Sequence, residues 1–197
     1  MKREAKAFTT SETTILFPHL VEPAKSPFDP NREPRFECSF VLSESDLTKL
    51  REIVSTMIKN AWGNISPSTV SICIKEQKRK NDRGEYEPML DEKGNQTYML
   101  SSWSYKQPIC VDGTKKPLTE SDCYTGMIGH GIVNLYTLES RGRKFILAGL
   151  GGVVKTKEGT RPQGNDVGAE IDNLLASSTN STVNEVANQI TTDDIPF

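Results

Sequence analysis

Residues 35–46 read Arg35-Phe36-Glu37-Cys38-Ser39-Phe40-Val41-Leu42-Ser43-Glu44-Ser45-Asp46. In the first eight, Phe36, Cys38, Phe40 and Leu42 alternate with Arg35, Glu37, Ser39 and Val41, the period of a half-buried strand. Ser43 or Ser45 then caps a helix, with Glu44 and Asp46 in a first turn where the helix dipole favours negative charge. Leu47, Leu50, Ile53, Val54, Met57, Ile58 and Ala61 recur at three- and four-residue spacing, and Gly63 supplies a stop. The expectation is a strand running into a helix of about Asp46–Trp62 that packs on a sheet, with Trp62 either covering the edge of the core, the reading preferred, or receiving a base.

Upstream, Phe8 to Leu20 is rich in β-branched and aromatic residues and reads as a strand that Pro18 interrupts or ends. Val21 to Pro34 carries Pro23, Pro27, Pro30 and Pro34 and reads as a loop. Downstream, Ser68 to Ile74 is a short strand with Val70, Ile72 and Ile74 on one face. It leads into an exposed excursion with Lys75, Lys78, Arg79, Lys80 and Arg83 before Gly84, and a turn at Asp91–Gly94. Tyr98–Tyr105 and Ile109–Val111 form two short strands or one bent one, followed by an Asp112–Pro117 turn bearing Lys115 and Lys116. Met127 to Leu138 is a strand that Gly129 and Gly131 allow to bend or bulge. Ser140-Arg141-Gly142-Arg143 makes a hairpin turn to the partner strand Lys144–Val154. The fold class is therefore mainly β with one packed helix.

Hydrophobic residues make up 35% of the 197, and the 14 glycines raise the apolar share to about 42%, a little under the globular norm of about 45–50%. Part of the chain is thus expected to stay unpacked. From Asn165 onward there are six acidic residues and no lysine or arginine, so of 24 basic and 26 acidic side chains the first 164 residues keep 24 and 20, a net +4. The expected organisation is a mildly cationic domain over 1–164 and a flexible acidic tail over 165–197. Within the tail, Asp166–Ala176 allows a short helix, and Ser177–Thr192 is a polar tether unable to fold alone. A cationic body suits polyanions, and an anionic tail can compete with them.

Several functions lose support. No run of 18 apolar residues exists and the N-terminus lacks a signal-peptide core, so a soluble intracellular protein without membrane partners is expected. The cysteines at 38, 73, 110 and 123 form no Cys-x-x-Cys pair and lie far from His19 and His130. Reduced, mostly buried thiols follow, with no metal site and no cofactor. Gly149-Leu150-Gly151-Gly152 is not followed by a helix, so it is no dinucleotide loop. Nothing in the histidines or acidic pairs forms a recognisable catalytic set, and no enzyme is expected.

Sequence-independent binding of a single strand needs cations along the phosphates and flat rings on which bases stack, at about 1–3 kcal/mol per base. Both occur together in Trp103, Tyr105 and Lys106, in Tyr136 with Arg141, Arg143 and Lys144, and in the basic run Lys75, Lys78, Arg79 and Lys80. Strand faces space such side chains for neighbouring bases. Trp103 and Tyr105, set among serines and a lysine, are expected to be exposed, and Phe36, Phe40 and Phe145 to be core.

The chain ends Asp193-Asp194-Ile195-Pro196-Phe197, two carboxylates and a terminal one beside two apolar side chains. A greasy pocket and a basic residue would capture it. Burying Phe197 and Ile195 at about 1.5–3 kcal/mol each makes micromolar capture reasonable. This ending resembles the C-terminal tip of bacterial single-stranded-DNA-binding proteins. Residues 10–162 resemble the phage single-stranded-DNA-binding proteins formerly classed as a domain of unknown function. That resemblance lies in the Pro-containing early loop, the Phe36–Leu42 strand with its capped helix, Pro108–Val111, Tyr124-Thr125-Gly126, and Leu147–Val154 followed by Lys155 and Gly159. It implies an oligonucleotide-binding (OB) fold, a five-stranded Greek-key barrel, here with elaborated loops. The expected role is a phage-type replication and recombination accessory in the host cytoplasm that coats single-stranded DNA and recruits replication or recombination proteins through its tip, with a homodimer left open. The alternatives are a protein–protein adaptor without nucleic-acid affinity and a strand-annealing recombination protein.

Overall fold

In the computed structural model, which describes residues 4–26, 29–81 and 83–161, the strand at residues 35–42 and the helix after it form as the pattern requires. The described strands are β1 (Ala5–Thr9), β2 (Thr13–Ala24), β3 (Arg35–Leu42), β4 (Val70–Ile72), β5 (Ile74–Glu76), β6 (Lys78–Lys80), β7 (Tyr86–Pro88), β8 (Tyr98–Ser104), β9 (Ile109–Asp112), β10 (Ile128–Ser140) and β11 (Arg143–Lys157), with one α-helix, α1 (Glu44–Trp62), between β3 and β4. All belong to one compact unit, Met1–Arg161. The expected acidic tail, its Asp166–Ala176 helix and the tip Asp193–Phe197 lie outside the described residues. No helix among the described residues is long and apolar enough to cross a membrane.

Phe36, Cys38, Phe40 and Leu42 all turn inward from β3. Ser43 is the cap: its hydroxyl accepts from Asp46 N at 3.1 Å, and Gly63 N closes the other end on Lys59 O. Asp46 is buried and accepts from Ser11 N at 2.8 Å, tying the helix start to the β1–β2 turn. Leu50, Val54, Met57 and Ile58 fill the core from α1, while Leu47, Ile53 and Trp62 pack half-buried at its edge.

The pairings run round a circuit. β10 pairs antiparallel with β2 and β11, β2 with β3 and β3 with β8, and β8 meets β11 in parallel where Trp103 lies beside Gly149. β1 extends β10, β4 and β9 run parallel to β11, and β5 flanks β8. β6 and β7 form a separate two-stranded ribbon. Phe40, Ile15, Leu100, Leu135 and Ile146 are fully buried between these elements.

Three expectations are corrected. Phe8 and Leu20 belong to different strands, and β2 runs past Pro18 and Pro23 to Ala24, into the stretch expected to be loop. It does so because its pairing with β3 skips between Leu16 and His19 and again before Ala24, so no ladder hydrogen bond is asked of the prolines. The strand expected over Ser68–Ile74 is a 3-10 turn followed by β4 and β5, broken at Cys73. The break buries Val70 and Cys73 and leaves Ile72 exposed. Phe145 is half-exposed rather than core, because the alternation along β11 points Ile146 inward.

The hairpin forms as expected, with Arg141 (φ 49°) and Gly142 (φ 73°) both left-handed, as a two-residue type I′ loop demands. Gly131 owes its place to close approach: a Cβ there would fall 2.3 Å from Cζ of Phe40. Near the end of β11, Lys155 is buried, donates to the Asp122 carbonyl at 3.0 Å and to Glu158 at 2.7 Å, and lies 5.0 Å from the Tyr124 ring. Arg161 lies 4.2 Å from the same ring, so this cluster fastens the end of the described chain.

Candidate nucleic-acid interface

Residues in register across a sheet share a face. Ser102 opposes Cys38 on the inner side of the β3–β8 pair, so Trp103 and its partner Glu37 face outward. Tyr105 is exposed as expected, at 50%, whereas Trp103 is half-buried, because Arg35 and Tyr105 pack against its ring. Their rings meet edge-to-face with centroids 5.2 Å apart and planes at 72°. Arg35 Cζ lies 5.1 Å from the Trp103 ring, and Arg35 Nε donates to Glu37 at 2.6 Å, which fixes the guanidinium at the rim of the ring. Ser39 and Ser101, 3.1 Å apart, continue the same face.

These side chains line a groove shared by Phe17, Arg35, Glu37, Lys75, Ser101 and Trp103. A second depression adds Lys25 and Arg32 beyond Arg35 and Lys75. The two together set four cations, Lys25, Arg32, Arg35 and Lys75, against two acids, Glu33 and Glu37. A ring with cations leading away from it is the combination that single-strand binding requires.

Of the residues singled out from the sequence, Lys75, Trp103 and Tyr105 come together here. Tyr136 joins from β10. Its phenol is pushed above the ordinary value, first by burial and then by the nearby Tyr105 phenol. Lys106 follows Tyr105 and is exposed. Arg141, Arg143 and Lys144 sit at the hairpin end, where Arg141 and Arg143 flank Phe145. Lys144 and Gly149 are five residues apart on β11, so this end stands about 16 Å along the strand from Trp103.

Lys78, Arg79 and Lys80 lie on the ribbon, and much of their charge is already answered. Lys78 pairs with Glu76 at 3.5 Å and Arg79 with Glu87 at 2.7 Å, while Lys80 lies 5.3 Å from the Tyr86 ring. Residues 75–96 hold six basic and six acidic side chains, so the excursion is neutral and the cationic field belongs to the groove.

Sequence reasoning missed Phe17, Lys25, Arg32 and Arg35. Phe17 has φ 50°, an uncommon region for an aromatic residue, donates its N–H to Thr125 Oγ1 at 2.9 Å, and is 61% exposed. The bulge before Pro18 turns its ring out into the groove. The signal is Phe-Pro within a β-rich run, where Pro18 is expected to interrupt or end the strand and instead sits at a skip in the pairing. Arg35 was visible as an outward position of β3, though its ring partner lies far along the chain. Among the described residues no group of three or more metal-binding side chains occurs, and the His130 ring nitrogen Nδ1 lies 3.0 Å from the Thr10 carbonyl.

Residues 6–186 match the sequence family of the ssDNA-binding protein of Enterobacter phage Enc34. No curated protein sequence matches the chain. Among solved structures, the C-terminally truncated single-stranded DNA-binding protein from bacteriophage Enc34 superposes with a TM-score of 0.59 at 18% identity, covering 79% of this chain and 87% of that one. The same phage protein in complex with ssDNA gives 0.56 at 15% identity over 80% and 89%. Gp2.5, a single-stranded DNA-binding protein encoded by bacteriophage T7, gives 0.53 at 11% identity over 81% and 96%. At these identities the likeness is one of fold: mostly β with one helix.

Proposed function

The chain belongs to the family of the Enterobacter phage Enc34 ssDNA-binding protein, and from that premise we propose that it binds single-stranded DNA without sequence preference, as a non-enzymatic accessory of phage-type replication and recombination in the host cytoplasm. The observation that carries this reading is Trp103 in one groove with Arg35 and Lys75, its ring met edge-on by Tyr105. The strand circuit β10–β2–β3–β8–β11 reads as the barrel of an OB fold, whose outer face holds the strand. Bases stack on Trp103 and Tyr105, Phe17 offers a further ring, and phosphates follow Lys75, Arg35, Arg32 and Lys25. The hairpin cations Arg141, Arg143 and Lys144 serve a longer strand.

In the same reading the acidic tail occupies the cationic groove when no strand is bound. A strand displaces it and frees Asp193-Asp194-Ile195-Pro196-Phe197 for a replication or recombination protein. Fluorescence anisotropy with labelled oligo-dT and with a duplex of equal length tests the first part: tight binding of the single strand supports it, and no binding in dilute buffer removes it. Deleting residues 177–197 tests the second. Strand affinity rises at low salt and partner capture is lost, whereas unchanged affinity rules out competition by the tail.

A further inference from the structure

Beyond Trp103, away from the cationic groove, the outer face is open and mainly apolar, with the exposed amide of Asn134 set into it. Gly149 lies between Asn134 of β10 and Trp103 of β8, and the next outward row is Ile132, Gly152 and Ile109. Ile109, at the start of the edge strand β9, is 76% exposed, and Ile132, within β10, is 42% exposed. Tyr136 closes one side: its Cε1 lies 3.6 Å from the point a Cβ on Gly149 would occupy. Two aromatic rings, two aliphatic side chains and the Asn134 amide thus surround a floor of glycines that carries no side chain.

The glycines of that floor, Gly149, Gly151 and Gly152, have different reasons, and Gly151 is the extra residue of the bulge in the β10–β11 pairing. A Cβ on Gly152 would fall 2.6 Å from the Ile109 carbonyl oxygen, so the approach of β9 demands glycine there. A Cβ on Gly149 would meet nothing closer than 3.6 Å, ordinary contact distance. The fold has room for a side chain at Gly149. A glycine in a strand interior marks a bulge, a bend or a site of close approach, and the bulge here falls at Gly151 rather than at Gly149.

We propose that this face is a second base-binding subsite for the same single strand, in which a nucleobase lies flat over Gly149, edged by Trp103 and Tyr136 and contacted by Ile109 and Ile132. This rests on the strand-binding reading above. The occupant follows from continuity: Trp103 belongs to both the groove and this face, so a strand leaving the groove crosses directly onto it. Apolar walls around a flat floor fit a base, and the phosphates stay outward in water.

Gly149→Val and Ile109→Ser test it, because the first fills the floor and the second removes an exposed wall. Each is expected to weaken oligo-dT binding about tenfold, the loss of roughly one stacked base, with the melting temperature unchanged. Saturating oligonucleotide still quenches Trp103 in both, since the groove is intact. An oligonucleotide carrying 5-iododeoxyuridine crosslinks to Tyr136 in the wild-type chain and not in Gly149→Val. If Gly149→Val does not fold, Ile109→Ser and the wild-type crosslink decide. Wild-type affinity in both variants, or no crosslink at Tyr136, overturns the subsite while leaving strand binding in place. So does a dimer that Ile109→Ser dissociates without loss of affinity, which gives the face to a second copy of the chain. Failure of the wild-type chain to bind oligonucleotide overturns the strand-binding reading itself.

Discussion

Replacing Trp103 by alanine removes the ring at the centre of the proposed track and little else. Trp103 is half-exposed on the outer face, with Tyr105 edge-on at 5.2 Å and Arg35 at 5.1 Å, so truncation leaves the core closed. The melting temperature should move only slightly. One stacked base is worth about 1–3 kcal/mol, and at about 1.4 kcal/mol per tenfold the Kd for oligo-dT rises roughly 5- to 150-fold. Arg35 remains bonded to Glu37 and Lys75 is untouched, so the phosphate contacts survive. The log–log salt dependence, about 0.7 per neutralised phosphate for single strands, therefore keeps its slope while the whole line shifts to weaker binding. Anisotropy titrations at four or five salt concentrations give both quantities, and Trp103→Phe should recover most of the affinity. Unchanged affinity in Trp103→Ala would take the ring out of the interface, and a loss of slope would show that Trp103 acts by placing cations rather than by stacking.

Arg35→Gln has the complementary signature. If Arg35 meets one phosphate, the salt slope falls by about 0.7, and an unchanged slope leaves Arg35 a role only in holding the Trp103 ring. Gly131→Ala forces a methyl into the Phe40 ring. Overpacking of this kind costs about 1–3 kcal/mol, which calorimetry reads as a melting temperature lowered by several degrees, with strand binding retained in the cold. Burial pushes the Cys73 and Cys110 thiols up to about 12, against about 8.5 in an unfolded chain. The folded state then holds protons that the unfolded state releases. These thiols contribute stability in full below about pH 8 and lose it as pH rises toward 12. Urea midpoints at pH 7 and pH 9.5 should differ in that direction, and a thiol reagent should label the native chain far more slowly than the unfolded one. Equal rates would mean that the thiols are open to solvent.

The elements legible in the sequence are those whose evidence is local. β3 and α1 follow from period, cap and stop within one stretch, and the hairpin follows from Arg141-Gly142, where positive φ at both positions singles out glycine at the second. β2 was cut short because a proline was weighed by its missing N–H alone, whereas skips in the pairing with β3 leave that N–H unneeded. The break at Cys73 was hidden because Val70, Ile72 and Ile74 alternate well, although β4 pairs with β11 and β5 with β8. For the candidate site, residue type singles out Trp103, Tyr105 and Lys75, which the fold brings near one another. It could not show that Arg35, Lys25, Arg32 and Phe17 surround them, since that depends on which strands are neighbours. Nor could it separate answered charge from open charge: Arg79 reads as a phosphate ligand until Glu87 is seen opposite it in the ribbon.

The most direct measurement uses the chain with Trp62→Phe, which leaves Trp103 as its sole tryptophan and gives up the hydrogen bond from Trp62 Nε1 to Glu139 and part of the packing at the core edge. Titration with oligo-dT in dilute buffer should quench its fluorescence to saturation, with a midpoint that weakens as salt is added. A folded chain whose Trp103 emission does not change at any oligonucleotide concentration would contradict the assignment of the β3–β8 face as the strand-binding surface.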